Sequence, residues 1–561
     1  MRTRRVRVIK TAGAAIALSA VVILLFSVWG PQGAATPKLI LVLSIDQMRF
    51  DYLMRFSDLY KGGLRRLLDH GAVFSNANYR HAITSTAPGH SVILSGRHPS
   101  HSGIIANSWY DPFLKRVVNV VEDPTHSPLG GEGRQASPVN FMGFTLGDML
   151  KQKNPESRVV AVCLKDRSAI LLAGHRGDAA YWYETSGGNF VTSTYYMSKA
   201  PAWLQEWNNQ RLPDRYAGKK WTRLLEDEKL YEKYAGRDAI EGEWDRKDIV
   251  FPHSIRGNPP ESGFYDYLRR TPFVDELTLS VTIQAMRAHE LGMDAITDIL
   301  AIGFAATDVV GHTYGAESQE VMDQLLRLDL ILERLFQEVD ASVNLVDTLV
   351  VLTSDHGSLP LVETLQAKGI DARRANPSLL EAAVEQALET RFPGVESLIA
   401  HFDRDIYFDE EVIQKHQLER KEVEATIINA LLSTGLVEAV YTHSQLLSNK
   451  PSSDPHIELF RNSFFQPRSP HLIVLPKKYF YLDPRPGGTG HGTAHDYDRH
   501  IPIVFMGTGI KPGLYPDPCG PEDIAPTMAK LLGFDYPKEN DSRLLLEMIQ
   551  SAPSSVVLDS K

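Results

Sequence analysis

"LILVLSID", residues Leu39 to Asp46, is a short apolar run closed by an acid. A run this brief and this apolar reads as a strand buried on both faces, as in a parallel sheet. Three later runs share the form: "RVVAVCL" (158–164), "TDILAIGFAA" (297–306) and "DTLVVLTS" (347–354). A fifth, "IPIVFMG", stands at 501–507. Helical patterns alternate with them, around Asp58–His70, through the amphipathic "AESQEVMDQLLRLDLILERLFQEV" (316–339), and in "PEDIAPTMAKLLG" (521–533). Strand and helix in alternation specify an α/β fold, a doubly wound, mostly parallel sheet flanked by helices.

The residues just past each strand are as informative as the strand. The first run ends in Asp46; the third leads into Asp308 and, one helical turn on, His312; the fourth leads into Asp355-His356. In open α/β sheets ligands bind beyond the carboxyl ends of the strands. A Gly-rich stretch, "GGTGHGTAHDYD" (487–498), adds His491. Each residue alone has an ordinary reading: a strand-end Asp, a surface i,i+4 pair, a turn, a loop histidine. Their coincidence at strand ends favours Asp/His metal groups without thiolate, a donor set suited to zinc at a catalytic site with an open position.

Thr86 stands in "ITSTAPGHSVILSG" (83–96), a Ser/Thr cluster running through Pro88 into a helical pattern. Its hydroxyl is either a helix cap or a nucleophile at an anion-attracting helix N-terminus. No His–Asp dyad is evident to activate it, so a bound cation is the available activator. "CLKDRSAI" (163–170) offers Lys165 and Arg167; an extended backbone there would project both to one face, as an anion clamp. The alternative is a solvated loop. Asn107, in "IIANSWYD" (104–111), is a neutral donor for a phosphoryl oxygen.

Composition narrows the classes. The 561 residues are 43% hydrophobic, 23% charged and 9% aromatic, ordinary for a globular protein. Residues 1–35 combine a basic start with the uncharged "TAGAAIALSAVVILLFSVWG" (11–30) and read as a signal peptide or N-terminal membrane anchor. They place the remaining 36–561 outside the cytoplasm, in the periplasm or secreted. That body holds 54 basic against 69 acidic side chains, a formal charge of −15, which argues against a nucleic-acid scaffold. Any membrane contact is confined to the N-terminal segment. Two regions break the strand–helix rhythm, about 176–265 and about 360–485, and are expected to be insertions capping the sheet edge. Cys163 and Cys519 are the two cysteines; they could pair if exported, though a strand position favours a buried, inert thiol for Cys163.

Taken together, "SIDQMRFDYL", "TAPGHSVILSG", "HSGIIANSWYD", "LKDRSAI", "TSTYYM", "TDVVGHTYG", "TSDHG", "HGTAHDYD" and "EDIAPTMA" resemble the alkaline phosphatase superfamily. The resemblance points to its branch of bacterial periplasmic phosphatases with a threonine nucleophile, and extends from residue 44 to about 530. It implies two zinc ions per chain. Asp308, His312 and His491 would hold the one that activates water; Asp46, Asp355, His356 and Thr86 would hold the other. Thr86 would become phosphorylated, with Asn107, Lys165 and Arg167 on the phosphoryl oxygens and small phosphate esters as substrates. Monoesters are favoured over diesters because the related nucleotide pyrophosphatases/phosphodiesterases resemble this chain less at "LKDR". Sulfatase chemistry is disfavoured, since Thr86-Ala-Pro-Gly-His90 lacks the C/S-x-P-x-R pattern. A phosphodiesterase, or a non-catalytic binding protein on the same fold, is the competing reading.

Overall fold

The computed structural model describes residues 36–539 and 541–549. The expected signal or anchor at 1–35 lies outside the described residues. Among those described, no helix is long and apolar enough to cross a membrane.

The opening run becomes β1 (Leu39–Ile45), and all seven of its residues are buried. Leu39, Leu41, Leu43 and Ile45 face one apolar core while Ile40 and Val42 face the other. The period-two alternation of a strand thus feeds two layers at once, which is why the run is apolar from Leu39 through Leu43. The other apolar runs form β2 (Val159–Cys163), β4 (Asp298–Phe304), β5 (Thr348–Thr353) and β6 (Ile503–Gly507). β3 (Ala179–Tyr183) joins them.

Five strands run parallel in the order β5–β1–β4–β2–β3. β6 adds antiparallel to β5, and short strands extend both edges to ten in all. Register sets the chemistry: Ser44 of β1 is level with Gly303 of β4 and Thr353 of β5. The three carboxyl ends therefore open onto one place. Helices cover both faces, among them α1 (Thr86–Ser95), α2 (Asp166–Ala173), α3 (Ala306–Tyr314) and the long α4 (Gln319–Ser342).

Three local expectations differ from the structure. The helix expected over Asp58–His70 is confined to Gly63–His70. Its start is fixed from outside, because the Asp329 carboxylate of α4 accepts the backbone N–H groups of Lys61, Gly62 and Leu64 at 2.7, 2.7 and 2.8 Å. The stretch 176–265 does not begin as an insertion: Ala179–Tyr183 and Phe190–Ser193 are strands of the main sheet, and only beyond them does the chain wrap its face. The backbone at Lys165–Arg167 is also not extended throughout. Lys165 is the last extended residue before α2 and Arg167 lies in its first turn.

Within 360–485 the chain builds a second layer of its own. A four-stranded sheet of Ile399–Phe402, Ile406–Phe408, Leu472–Pro476 and Val437–Thr442 packs with helices Ser378–Arg391 and Arg420–Ser433 around a separate apolar core. Cys163 and Cys519 are both buried free thiols.

Candidate active site

Asp46, Asp308 and Asp355 leave the ends of β1, β4 and β5, and all three are nearly inaccessible to solvent. Two groups of potential ligands result: Asp308, His312 and His491 in one, and Asp46, Asp355 and His356 in the other. Within each, the ligand atoms lie within 4.8 Å of one another. His312 reaches Asp308 because both ride α3 one turn apart, with Nε2 3.2 Å from Oδ1. His491 Nε2 is 3.7 Å from the same Asp308 oxygen. His356 Nε2 lies 3.3 Å from Asp355 Oδ2 and 3.5 Å from Asp46 Oδ1.

Each imidazole is turned the same way. Nδ1 of His312 meets the Thr489 carbonyl at 2.6 Å, that of His356 the Gly357 carbonyl at 2.9 Å, and that of His491 the Thr84 carbonyl at 2.8 Å. A carbonyl can only accept, so each Nδ1 carries a proton, and Nε2 is the atom turned toward the carboxylates. That is the orientation a metal-binding imidazole takes. Burial pushes His356 and His491 below the ordinary histidine range.

The carboxylates are electrostatically unequal. Burial, then the neighbouring Asp355, pushes Asp46 well above the usual range, against the pull of Lys165. Burial acts the same way on Asp308, but Lys165 and His312 overcome it and hold that group well below the range. Asp355 is likewise held low against its burial, by His356 and His90. Asp46 Oδ1 and His356 Nε2 are buried without a hydrogen-bond partner among the described residues. Buried polar atoms left bare are costly, and a cation between them would satisfy both. The residues therefore fit a metal site.

Thr86 opens α1 beside these groups, and α1 answers the capping question. Its N-cap residue, Ser85, makes no side-chain cap hydrogen bond. The Ala87 N–H is instead taken at 2.8 Å by Asn107 Oδ1, which leaves the Asn107 amide nitrogen as a donor. Lys165 Nζ stands 3.3 Å from Thr86 Oγ1 and Arg167 Nη2 3.4 Å from it. Lys165 also reaches Asp46 and Asp308, at 2.8 and 2.6 Å. Those carboxylates outweigh its burial and keep it charged. Gly89 is required here by packing: a Cβ would lie 2.1 Å from the Asp355 carbonyl oxygen.

Every residue singled out from sequence thus converges on one locus. Two others there carry no such signal of their own. Gln47 donates its backbone N–H to Asp355 Oδ1 at 3.1 Å and its side-chain amide to Asp308 Oδ1 at 2.9 Å. His90, one turn after Thr86, donates from Nδ1 to the Thr86 carbonyl at 2.8 Å, and the same atom lies 3.2 Å from Asp355 Oδ2. Its Nε2 accepts from Ser44 Oγ at 3.0 Å. For His90, the i,i+4 spacing from Thr86 is the one hint a linear reading offers.

A cavity of about 550 Å³ adjoins the site, within the range of small-molecule pockets. Asn107, His312 and His491 are among its lining residues. The second layer contributes His401, Arg404 and Tyr407. On its wall Tyr110 and His401 stack, with centroids 5.2 Å apart and planes 6° from parallel.

Comparison with known proteins agrees with this geometry. Residues 40–498 match the family model described as type I phosphodiesterase / nucleotide pyrophosphatase. The chain is 33% identical over 521 residues to alkaline phosphatase PafA of Elizabethkingia meningoseptica, covering 91% of this chain and 94% of that protein. It is 33% identical over 536 residues to alkaline phosphatase PhoV of Synechococcus elongatus, covering 93% and 94%. The crystal structure of wild-type PafA superposes with a TM-score of 0.84 at 33% identity, over 92% of this chain and 99% of that one.

Proposed function

Because the chain belongs to the type I phosphodiesterase / nucleotide pyrophosphatase family, we propose that it hydrolyses phosphate monoesters through a phosphate carried on Thr86, with two zinc ions. Its near full-length relatives are alkaline phosphatases, and the enzyme is a phosphoric monoester hydrolase of that type. The observation that carries the nucleophile assignment is the environment of Thr86 Oγ1. It lies at a helix N-terminus, with two fixed cations at 3.3 and 3.4 Å.

Asp308, His312 and His491 would hold one zinc, and Asp46, Asp355 and His356, with Thr86, the other. When bound, the two ions supply Lewis acidity to the attacking and leaving oxygens. The chain's own residues do the rest. Arg167 and Lys165 draw the phosphoryl oxygens toward Thr86 Oγ1, and the Asn107 amide nitrogen supplies a third donor. Thr86 Oγ1 gives up its proton as it attacks phosphorus, the ester P–O bond breaks, and the leaving oxygen takes up a proton and departs as the alcohol. Water then cleaves the Thr86 phosphate to release inorganic phosphate. A monoester offers three non-bridging oxygens and a second negative charge, matching three donors of which two are cationic. A diester offers two oxygens and one charge, so this clamp favours monoesters.

Export, by cleavage or anchoring of residues 1–35, belongs to the same proposal. The test is turnover of p-nitrophenyl phosphate against bis-p-nitrophenyl phosphate by the zinc-loaded protein. Acid-quenched labelling of Thr86 from a radioactive monoester accompanies it, with Thr86→Ala as blank. A monoester preference with label on Thr86 supports the reading. A diester preference moves the enzyme to phosphodiesterase chemistry, and no turnover of either leaves a binding protein.

A further inference from the structure

Gln47, the residue directly after Asp46, has a backbone φ of +65°. Residues other than glycine enter this left-handed region at a steric cost, and such outliers persist where the surroundings hold them. Gln47 is 1% exposed, so no solvent contact explains it.

Its two polar groups account for the conformation. The peptide that closes β1 aims the Gln47 N–H at Asp355 Oδ1, 3.1 Å away, and the left-handed turn lets the chain leave that plane with the side chain donating to Asp308 Oδ1 at 2.9 Å. Asp355 and Asp308 belong to different ligand groups. They come from opposite neighbours of β1, one beyond β5 and one beyond β4. A single residue thus braces one carboxylate of each group. Room for the side chain comes from a third element. On α3, one residue before His312, Gly311 has no Cβ; a Cβ there would lie 2.0 Å from Gln47 Oε1.

Resting on the two-cation reading, we propose that Gln47 is a positioning residue shared by both groups: its amide orients Asp308, and its left-handed backbone orients Asp355. Asp308 Oδ1 also faces His312 Nε2 at 3.2 Å. The Gln47 amide fixes which lone pairs of that oxygen remain for a cation. The two functions separate by chemistry. Losing the amide loosens Asp308 alone, whereas refusing the positive φ moves the N–H and loosens both.

Two substitutions separate these functions. Gln47→Gly keeps the N–H and adopts positive φ freely but has no amide. Gln47→Val has no amide and resists positive φ. Zinc affinity is measured for each equivalent by competition with a chromophoric chelator, with His312→Ala and His356→Ala assigning the equivalents to the groups. Cobalt(II) absorption spectra of the same variants report ligand geometry, and unfolding in excess chelator reports the metal-free fold. Loss of outer ligand contacts weakens metal affinity about 10–100-fold. Gln47→Gly is expected to weaken the Asp308 equivalent by that factor and leave the other within a few fold. Gln47→Val is expected to weaken both and to perturb both cobalt spectra. Wild-type affinity for both equivalents in Gln47→Gly overturns the proposal, as does an identical loss of both in the two variants. If Gln47→Val does not fold, Gln47→Gly decides alone. Failure of the wild-type chain to take up two equivalents removes the two-cation premise itself, and is read before any variant.

Discussion

Replacing Lys165 should convert the enzyme's preference among esters rather than merely slow it. Lys165 is 9% exposed and its ammonium stands 3.3 Å from Thr86 Oγ1, so a phosphoryl oxygen bound there lies within about one hydrogen bond of it. Bare Coulomb attraction between unit charges about 4 Å apart is about 4 kcal/mol at an effective dielectric of 20. Deleting a charged hydrogen bond usually costs less, about 1.5–3 kcal/mol. A monoester dianion carries one more charge at this position than a diester monoanion. Taking about 2 kcal/mol for that extra charge, Lys165→Ala should lower the monoester-to-diester ratio of kcat/KM roughly thirtyfold. Zinc should be held no less tightly, because Lys165 competes with cations for Asp46 and Asp308 at 2.8 and 2.6 Å. The assay is parallel kinetics on the two p-nitrophenyl esters with metal content measured on the same samples. A ratio unchanged at full zinc occupancy would refute the charge argument. A ratio that fell only with lost zinc would assign the effect to the metals.

Chelation should abolish turnover and lower Tm, because Asp46 Oδ1 and His356 Nε2 have no hydrogen-bond partner among the described residues; two equivalents of zinc should restore both, and full activity in metal-free protein would contradict the site. Asp275 is pushed up to about 7 by burial, although Ala306 N–H and the Gln324 amide donate to it. Folding therefore retains a proton that the unfolded chain releases near 3.8, so this group's contribution falls as pH rises from about 4 to 7, by at most about 4 kcal/mol. Asp275→Asn should accordingly be less stable than wild type at pH 4.5, with the gap closing by pH 8; urea titrations showing a constant gap would disprove this. The Tyr110–His401 stack on the cavity wall should favour leaving groups that bear a planar ring, so adenosine 5′-monophosphate should outpace ribose 5-phosphate about tenfold. Tyr110→Ala should shrink that ratio and Tyr110→Phe preserve it; equal turnover of both esters by the wild type would count against a stacking role.

Much of the site is legible in the sequence because its carboxylates follow β1, β4 and β5 within four residues, and apolar runs with acids just beyond them are visible in a linear chain. Thr86 is legible as a hydroxyl ahead of a helical pattern, and His491 as a histidine in a Gly-rich loop. The bracing contacts are not. Gln47 touches residues 261 and 308 positions away, and nothing in its own neighbourhood announces the left-handed turn. Lys165 and Arg167 stand out as a pair, but strand alternation is the wrong geometric reason for it. They converge on Thr86 because an extended residue meets a helix start there. The aromatic stretch around Ala179–Tyr183 conceals a strand, since its rings are all buried in the two main cores rather than exposed on a cap.

The second layer is wired into the two ligand groups rather than placed over them. After its four-stranded sheet the chain forms a short strand, Phe480–Leu482, paired with Arg373–Ala375, and then enters the loop carrying Thr489 and His491. That loop returns to the sheet by accepting from His312 and by the His491 contact to Thr84, two residues before Thr86. Grafting the layer from one relative onto another would therefore re-register His491 and the turn carrying Thr86 in the same operation. On the proposed reading such chimeras should inherit their substrate range and their metal retention together, with workable splice points inside the layer, before Phe480, rather than at its edges.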